Sequence, residues 1–385
     1  MFFKEGKDLT KFADNVFSVN AAAKSDKDES KVNATVGSLF DENGQLVALK
    51  SVYKCFDKVS DIDKAAYAKS SLGNPEFREA IKKFVLEGKA NGEVCTTAGG
   101  TGAIALALDL CRDKGQSVII PDVAWGNYKQ MLNERDIKAV CYDPYSISDL
   151  ISKIEEEEKP FVLINSPCEN PCGLSYDLES WKKILSVLNK KESILLNDIA
   201  YIDYAYDPNA KEYMKLFNEL GKNVLVLIAS SCSKTFSYYG MRLGSLIAIN
   251  SDKEFLDLFM NQCERHIRTT YSNCNNAAMI AIADILNNHF DEFIKEKEIY
   301  RNLLKERSSI FVKEAKEVGL ELYPYDEGFF VTIKCDNNEK RDVAFNKLLD
   351  NHIYSVKLNK GIRVAICSIP LSKIKGLAKR IKEII

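Results

Sequence analysis

The chain has 385 residues, 46% hydrophobic and 28% charged, which is the balance of an ordinary globular protein and too long for one small core. With 53 basic against 55 acidic side chains the formal charge is −2, so no net field draws in nucleic acid or an anionic membrane, and partners are expected among small molecules and proteins. The 11 cysteines are odd in number and lack paired C-x-x-C spacing, which points to buried free thiols in a reducing cytoplasm rather than a disulfide framework.

The first residues, Met1-Phe2-Phe3-Lys4-Glu5-Gly6-Lys7, carry charges too early for a secretory leader, and no run reaches the ~18 to 20 apolar residues of a membrane span. Residues 1 to about 45 contain no βα unit of their own and are expected to pack with a smaller domain. From Val94-Cys95-Thr96-Thr97 onward, short apolar runs alternate with helical stretches. The first helix is expected from Gly102, and further strands at Ser117–Ile120, Lys138–Cys141, Phe161–Ile164, Ile194–Leu196, Val224–Ile228 and Gly244–Ala248. Apolar strands separated by helices imply an α/β domain, a mostly parallel sheet between helices, over residues 46–299. Beyond residue 250 the texture turns to charged helices, notably Asp291 to Glu317. Strand-like runs at Phe329–Ile333 and Arg363–Ile366 with a basic closing helix predict a smaller α+β domain of residues 300–385 together with 1–45. The acidic run Glu155–Glu158 reads as a solvated helix end.

Ligands of such sheets gather at the carboxyl ends of the strands. Several residues with matching chemistry fall there. Ala98-Gly99-Gly100-Thr101-Gly102 joins the first strand to its helix and offers bare amides and a hydroxyl to a phosphate. Trp125, one of two tryptophans, follows the second strand and has a flat face for an aromatic ring, although a core role explains it as well. Asn170-Pro171-Cys172-Gly173 is a turn that leaves an amide free to hydrogen-bond. Asp198 ends an apolar strand, as a helix cap or as a partner for a ring nitrogen, with Tyr201 close behind. Ser231-Cys232-Ser233-Lys234 ends the strand at Val224, and Arg242 follows. Two hydroxyls and a guanidinium suit a phosphate dianion, and an amine in a dry site can lose its proton and attack an aldehyde. Cys168 and Cys172 bracket a turn, yet three histidines and no second cysteine pair give little for a metal, and none is expected.

Taken in this order, these residues resemble those of the class I aminotransferases of PLP fold type I, and within them the aspartate/aromatic aminotransferase branch. Further segments extend the likeness over nearly the whole chain. Lys31-Val32-Asn33-Ala34-Thr35-Val36-Gly37 is similar to the family's substrate-side segment. Tyr67 resembles the tyrosine that reaches the partner subunit's cofactor phosphate. Arg363, in Gly361-Ile362-Arg363-Val364-Ala365, resembles the arginine that forks onto the substrate α-carboxylate, and Arg268 the one lent by a neighbouring subunit to a dicarboxylate side chain.

The resemblance implies a cytoplasmic homodimer that carries pyridoxal 5'-phosphate (PLP) on Lys234 and moves amino groups between an amino acid and a 2-oxo acid by a ping-pong route. Gly99, Gly100, Thr101, Ser231, Ser233, Arg242 and Tyr67 would seat the phosphate, and Trp125 would stack on the ring. Asp198 would hold its nitrogen, and Asn170 and Tyr201 its phenolic oxygen. Gly37, Trp125, Asn170, Arg268 and Arg363 would meet the substrate. Arg268 favours aspartate and glutamate; an aromatic aminotransferase or a PLP-dependent lyase are the alternatives. Three positions depart from the branch, because Tyr128, Asn165 and Glu169 stand where histidines are usual, and Cys172 replaces a threonine. A different surround for Asp198 is therefore expected.

Overall fold

The computed structural model describes residues 15–111, 113 and 115–385; the stretch Met1–Lys7 lies outside them. Near the N-terminus Val32–Asn33 forms a short strand, β1. Seven strands then build the central sheet: β2 (Glu93–Thr97), β3 (Val118–Pro121), β4 (Ala139–Tyr142), β5 (Phe161–Asn165), β6 (Ser193–Asp198), β7 (Val224–Ser231) and β8 (Gly244–Ile249). Their spatial order is β2-β8-β7-β6-β5-β3-β4, and only β8 runs against the rest.

The strands are continuous apolar runs because the sheet is covered on both faces. Alternation along each strand divides the core in two. Val162, Leu195, Val226 and Ile247 belong to one buried cluster, whereas Phe161, Leu163, Leu196, Leu227 and Leu246 belong to the other. Each such side chain contributes roughly 1.5–3 kcal/mol by leaving water. The helix Gly99–Leu110 can be apolar nearly all round because Ala103, Ile104, Leu106, Ala107 and Leu108 are all buried against the second cluster.

Register fixes what meets at the sheet's functional edge. Asn165 pairs with Asp198 and Asp198 with Ala229, so the ends of β5 and β6 lie level and β7 runs two residues further, to Ser231. On the other flank Gly244 pairs with both Thr97 and Ser231, which brings the start of the helix Gly99–Leu110 beside the end of β7.

The remaining strands are β9 (Phe330–Lys334), β10 (Ile353–Tyr354), β11 (Val356–Leu358) and β12 (Gly361–Ala365). β11, β12 and β9 form an antiparallel sheet, and β1 pairs with β10. The N-terminal segment is tied here in two further ways. Ala365 N–H donates to Ala34 O at 2.9 Å, and the fully buried Arg307 donates to the carbonyls of Phe40 and Cys367, each at 2.9 Å. Arg307 lies on the long helix Phe290–Val318, whose near end packs Phe293 against Phe236 just after β7. No helix of the described residues is long and apolar enough to cross a membrane.

Candidate active site

The strand ends position the acid first. Asp198, the last residue of β6, is only 5% exposed. Its Oδ2 accepts from the Tyr128 hydroxyl at 2.6 Å and its Oδ1 from the Ala200 amide at 3.0 Å. Burial pushes its carboxyl up, while Tyr128, the Ala200 amide and Lys234 pull in the other direction without cancelling it. The expected change in surround is therefore a substitution of donor: the buried Tyr128 phenol serves where a histidine was usual. Asn165, at the level of Asp198 on β5, donates its Nδ2 to the Asp198 carbonyl at 2.7 Å and accepts from the Asn170 amide at 2.8 Å. One side chain thus couples the acid's strand to the Asn170 turn.

Lys234 lies in the four-residue helix Cys232–Thr235 that begins where β7 ends. Its Nζ donates to the Gly37 carbonyl at 2.8 Å and sits 4.8 and 5.7 Å from the ring centres of Tyr239 and Tyr201. Burial lowers the ammonium pKa to about 8, with Arg242 and Arg363 pushing the same way against Cys367 and Asp198. An amine in this condition is partly neutral near pH 7, the state a nucleophile requires.

Beside it is a seat for an anion. Gly99 has φ +76°, and a Cβ there would stand 2.6 Å from Arg242 Nη2, so the bare backbone is what lets the guanidinium lie over the turn. Arg242 Nη1 donates to the Tyr239 carbonyl at 2.9 Å and to Ser233 Oγ at 3.3 Å. Ser231 caps the short helix and lies against Gly100. The N-terminus of the helix Gly99–Leu110, a guanidinium and two hydroxyls form a donor set that fits a phosphate dianion, and Thr101 is exposed on the first turn of that helix. Trp125 is half-buried and meets Tyr128 edge-on, centroids 5.4 Å apart.

Arg363, on β12, reaches the same cleft. It is 5% exposed, with Nη1 donating to Asn170 Oδ1 at 2.9 Å and Nη2 to the Thr35 carbonyl at 2.7 Å. Its Nε is buried without a hydrogen-bond partner among the described residues, and the Phe330 ring lies 4.3 Å from the guanidinium carbon. Because Asn170 spends its carbonyl oxygen on Arg363, its amide nitrogen is left to donate elsewhere. Tyr201, buried against Phe329 and Phe330, has its phenol pushed up by burial and drawn down by Arg363.

Thus Lys234, Asp198, Tyr201, Asn170, Gly37 and Arg363 come together, as do Gly99, Gly100, Ser231, Ser233 and Arg242. Tyr67 and Arg268 do not join them. Tyr67 is 83% exposed, and Arg268, exposed at the end of the helix Lys253–Thr270, donates to Ser272 Oγ. Sequence reading missed Tyr239, Phe330 and Thr35. Of these, only Tyr239, near Lys234 in a glycine-containing loop, carried a local signal; Thr35 contributes a backbone carbonyl that any residue would supply. Among the described residues one group of metal-type donors occurs, Cys55, Asp284 and His289 within 4.8 Å of one another, and it does not include Cys168 or Cys172.

The family model described as aminotransferase class I and II matches residues 29–381. The chain belongs to this family. Its members use PLP, and this chain is a PLP-dependent aminotransferase resembling aspartate aminotransferases. It is 27% identical to the mitochondrial aspartate aminotransferase P2 of Lupinus angustifolius over 96% of this chain and 85% of that protein. It is 25% identical to the aromatic-amino-acid aminotransferase of Paracoccus denitrificans over 67% of this chain and 69% of that one. The solved structure of an aminotransferase from Anaerococcus prevotii DSM 20548 superposes with a TM-score of 0.92 at 29% identity, covering 100% of this chain and 99% of the other. The aminotransferase fold is thus the mixed α/β one that the strand pattern implied.

Proposed function

We propose that this aminotransferase exchanges amino groups between aspartate or glutamate and their 2-oxo acids, with PLP joined to Lys234, as a cytoplasmic homodimer. The observation that carries the reading is the convergence of Lys234, Asp198 and the Asn170–Arg363 pair at one edge of the central sheet. When bound, the cofactor supplies an electron-withdrawing ring that stabilises negative charge at the substrate α-carbon.

The chain's own residues do the rest. Asp198 keeps a proton on the ring nitrogen, and Tyr128 and the Ala200 amide favour its carboxylate form. The free amide of Asn170 and the phenol of Tyr201 donate toward the phenolic oxygen. Gly99, Gly100, Thr101, Ser231, Ser233 and Arg242 hold the phosphate, and Trp125 fixes the ring plane. The amine of Lys234, near its pKa of about 8, takes the α-proton. Arg363 receives the α-carboxylate as a fork, with Phe330 behind it, and Gly37 borders the substrate. A partner subunit would bring its own Tyr67 and Arg268, which explains why both stand exposed in one chain. Residues 46–299 form the cofactor domain, and residues 1–45 with 300–385 the domain that closes on substrate. The eleven free thiols agree with a reducing compartment.

Aromatic amino acids are a second reading, since the chain's relatives include an aromatic-amino-acid aminotransferase. Incubation with 2-oxoglutarate and either aspartate or phenylalanine separates the two. Oxaloacetate and glutamate are the expected products of the first; a strong preference for phenylalanine would shift the assignment, and pyruvate with ammonia formed from serine in the absence of any 2-oxo acid would mark elimination instead.

A further inference from the structure

Behind the Lys234 turn lies a second buried lysine that the site as described does not use. Lys297, on the helix Phe290–Val318, is 4% exposed. Its Nζ donates to the Thr235 carbonyl at 3.0 Å and stands 3.7 Å from Asp203 Oδ2. The same Asp203 oxygen accepts from the Thr235 hydroxyl at 2.6 Å, and Asp203 Oδ1 faces Lys211 Nζ at 3.6 Å. The rings of Tyr204 and Phe293 enclose the Lys297 amine at 5.0 and 5.4 Å.

Such an arrangement is a poor device for stability alone. Taking two charges out of water costs several kcal/mol per ion, and an apolar pair of equal volume would often do as well. The cost shows in the lysine, whose ammonium is pushed down to about 8 by burial. Burial would push Asp203 up, but Lys297 and Lys211 outweigh it and hold its carboxyl low, so the pair stays ionic. What the charges accomplish is geometric. Thr235 directly follows Lys234, and its carbonyl ends a four-residue helix where no intrahelical donor exists. Lys297 takes that carbonyl and Asp203 takes the hydroxyl, so one residue is held by backbone and side chain together. Asp203 in turn lies in the short 3-10 turn Ile202–Tyr204, directly after Tyr201 and just past Asp198 at the end of β6.

We propose that Asp203 and Lys297 are positioning residues that clamp Thr235, locking the Lys234 turn to the Asp198–Tyr201 loop so that the Lys234 amine points at the cofactor aldehyde. The inference rests on Lys234 being the cofactor lysine. It concerns the orientation of that amine; in the phosphate seat Ser231 caps the short helix of Lys234 and Ser233 lies in it, whereas Gly99, Gly100, Thr101 and Arg242 lie outside it.

The test compares two cofactor forms on apo-protein. PLP offers an aldehyde that Lys234 captures, forming a C=N bond with loss of water, whereas pyridoxamine phosphate fits the same seat with nothing to capture. In the double variant Asp203→Asn/Lys297→Met, which removes both charges at nearly constant volume, covalent capture of PLP followed by absorbance should slow at least about tenfold, because a misdirected nucleophile loses effective concentration. Pyridoxamine phosphate affinity should stay within about threefold, since no donor of the phosphate seat is altered. Thr235→Val, which keeps both charges and the carbonyl bond, should show a smaller slowing, about threefold, and supplies the test if the double variant does not fold. Capture at the parent rate in a folded variant would overturn the proposal, and so would equal losses for both cofactor forms, which would mean general loosening. Borohydride reduction and peptide mapping of the parent protein checks the underlying assignment separately: an adduct away from Lys234 would defeat that reading whatever the variants do.

Discussion

Two sets of the expected site residues are held in opposite ways. Asp198, Asn170 and Arg363 are buried and bonded within their own chain, at strand ends whose register leaves them little freedom. Tyr67 and Arg268 stand in solvent, the first on a stretch between helices and the second at a helix end. The contrast separates what one chain fixes by packing from what it offers outward. Substitutions in the first region should act in every molecule alike, whereas those in the second should matter only through a neighbouring copy.

The sharpest way to break this contrast is Lys234→Ala, which should abolish covalent cofactor attachment and cut transamination by at least about 10⁴-fold, read by absorbance and a coupled assay. Arg363→Lys should lower kcat/KM by about 100-fold, because a point charge cannot replace the two-pronged contact now prefigured on Asn170 and Thr35. In the outward region, Arg268→Ala should cost about tenfold in kcat/KM with aspartate and leave phenylalanine nearly unchanged; equal losses would remove it from side-chain recognition. Tyr128→Phe deletes the donor that favours the Asp198 carboxylate, so an already raised pKa should rise further. The acid limb of the pH–kcat/KM profile should then move upward by about one unit. Tyr67→Phe should be mildest, a few-fold weakening of cofactor affinity. If Tyr67 acts across subunits, mixed dimers carrying one Lys234→Ala chain and one Tyr67→Phe chain should differ from either parent.

Much of the first region was legible in the sequence because strand ends are legible. Apolar runs stop at Asn165, Asp198 and Ser231, and the polar residues just beyond them must face a common edge. Arg363 was found by its motif rather than its surroundings. The partner of Asp198 was not legible, since Tyr128 lies on a separate helix, Asn127–Asn133, and only tertiary packing turns its hydroxyl toward the acid. The clamp on Thr235 was hidden for the same reason: Asp203 and Lys297 look like ordinary surface charges until the long helix is laid against the Lys234 turn. Helix onset was also misplaced. The phosphate-side helix begins at Gly99 and not Gly102, because glycines that read as a loop serve as its first turn. The reversal of β8 left no trace in its composition, which is as apolar as that of β7 beside it.

That reversal has a lasting consequence. Gly244 opens β8 where three backbone segments cross, and a methyl group there would stand 2.6 Å from both the Gly99 carbonyl carbon and the Ser230 oxygen. The junction therefore works like a keystone: a lineage can reshape the rim of this cleft for new side chains, but no carbon can be inserted at the crossing without prising the anion's berth away from the lysine beside it.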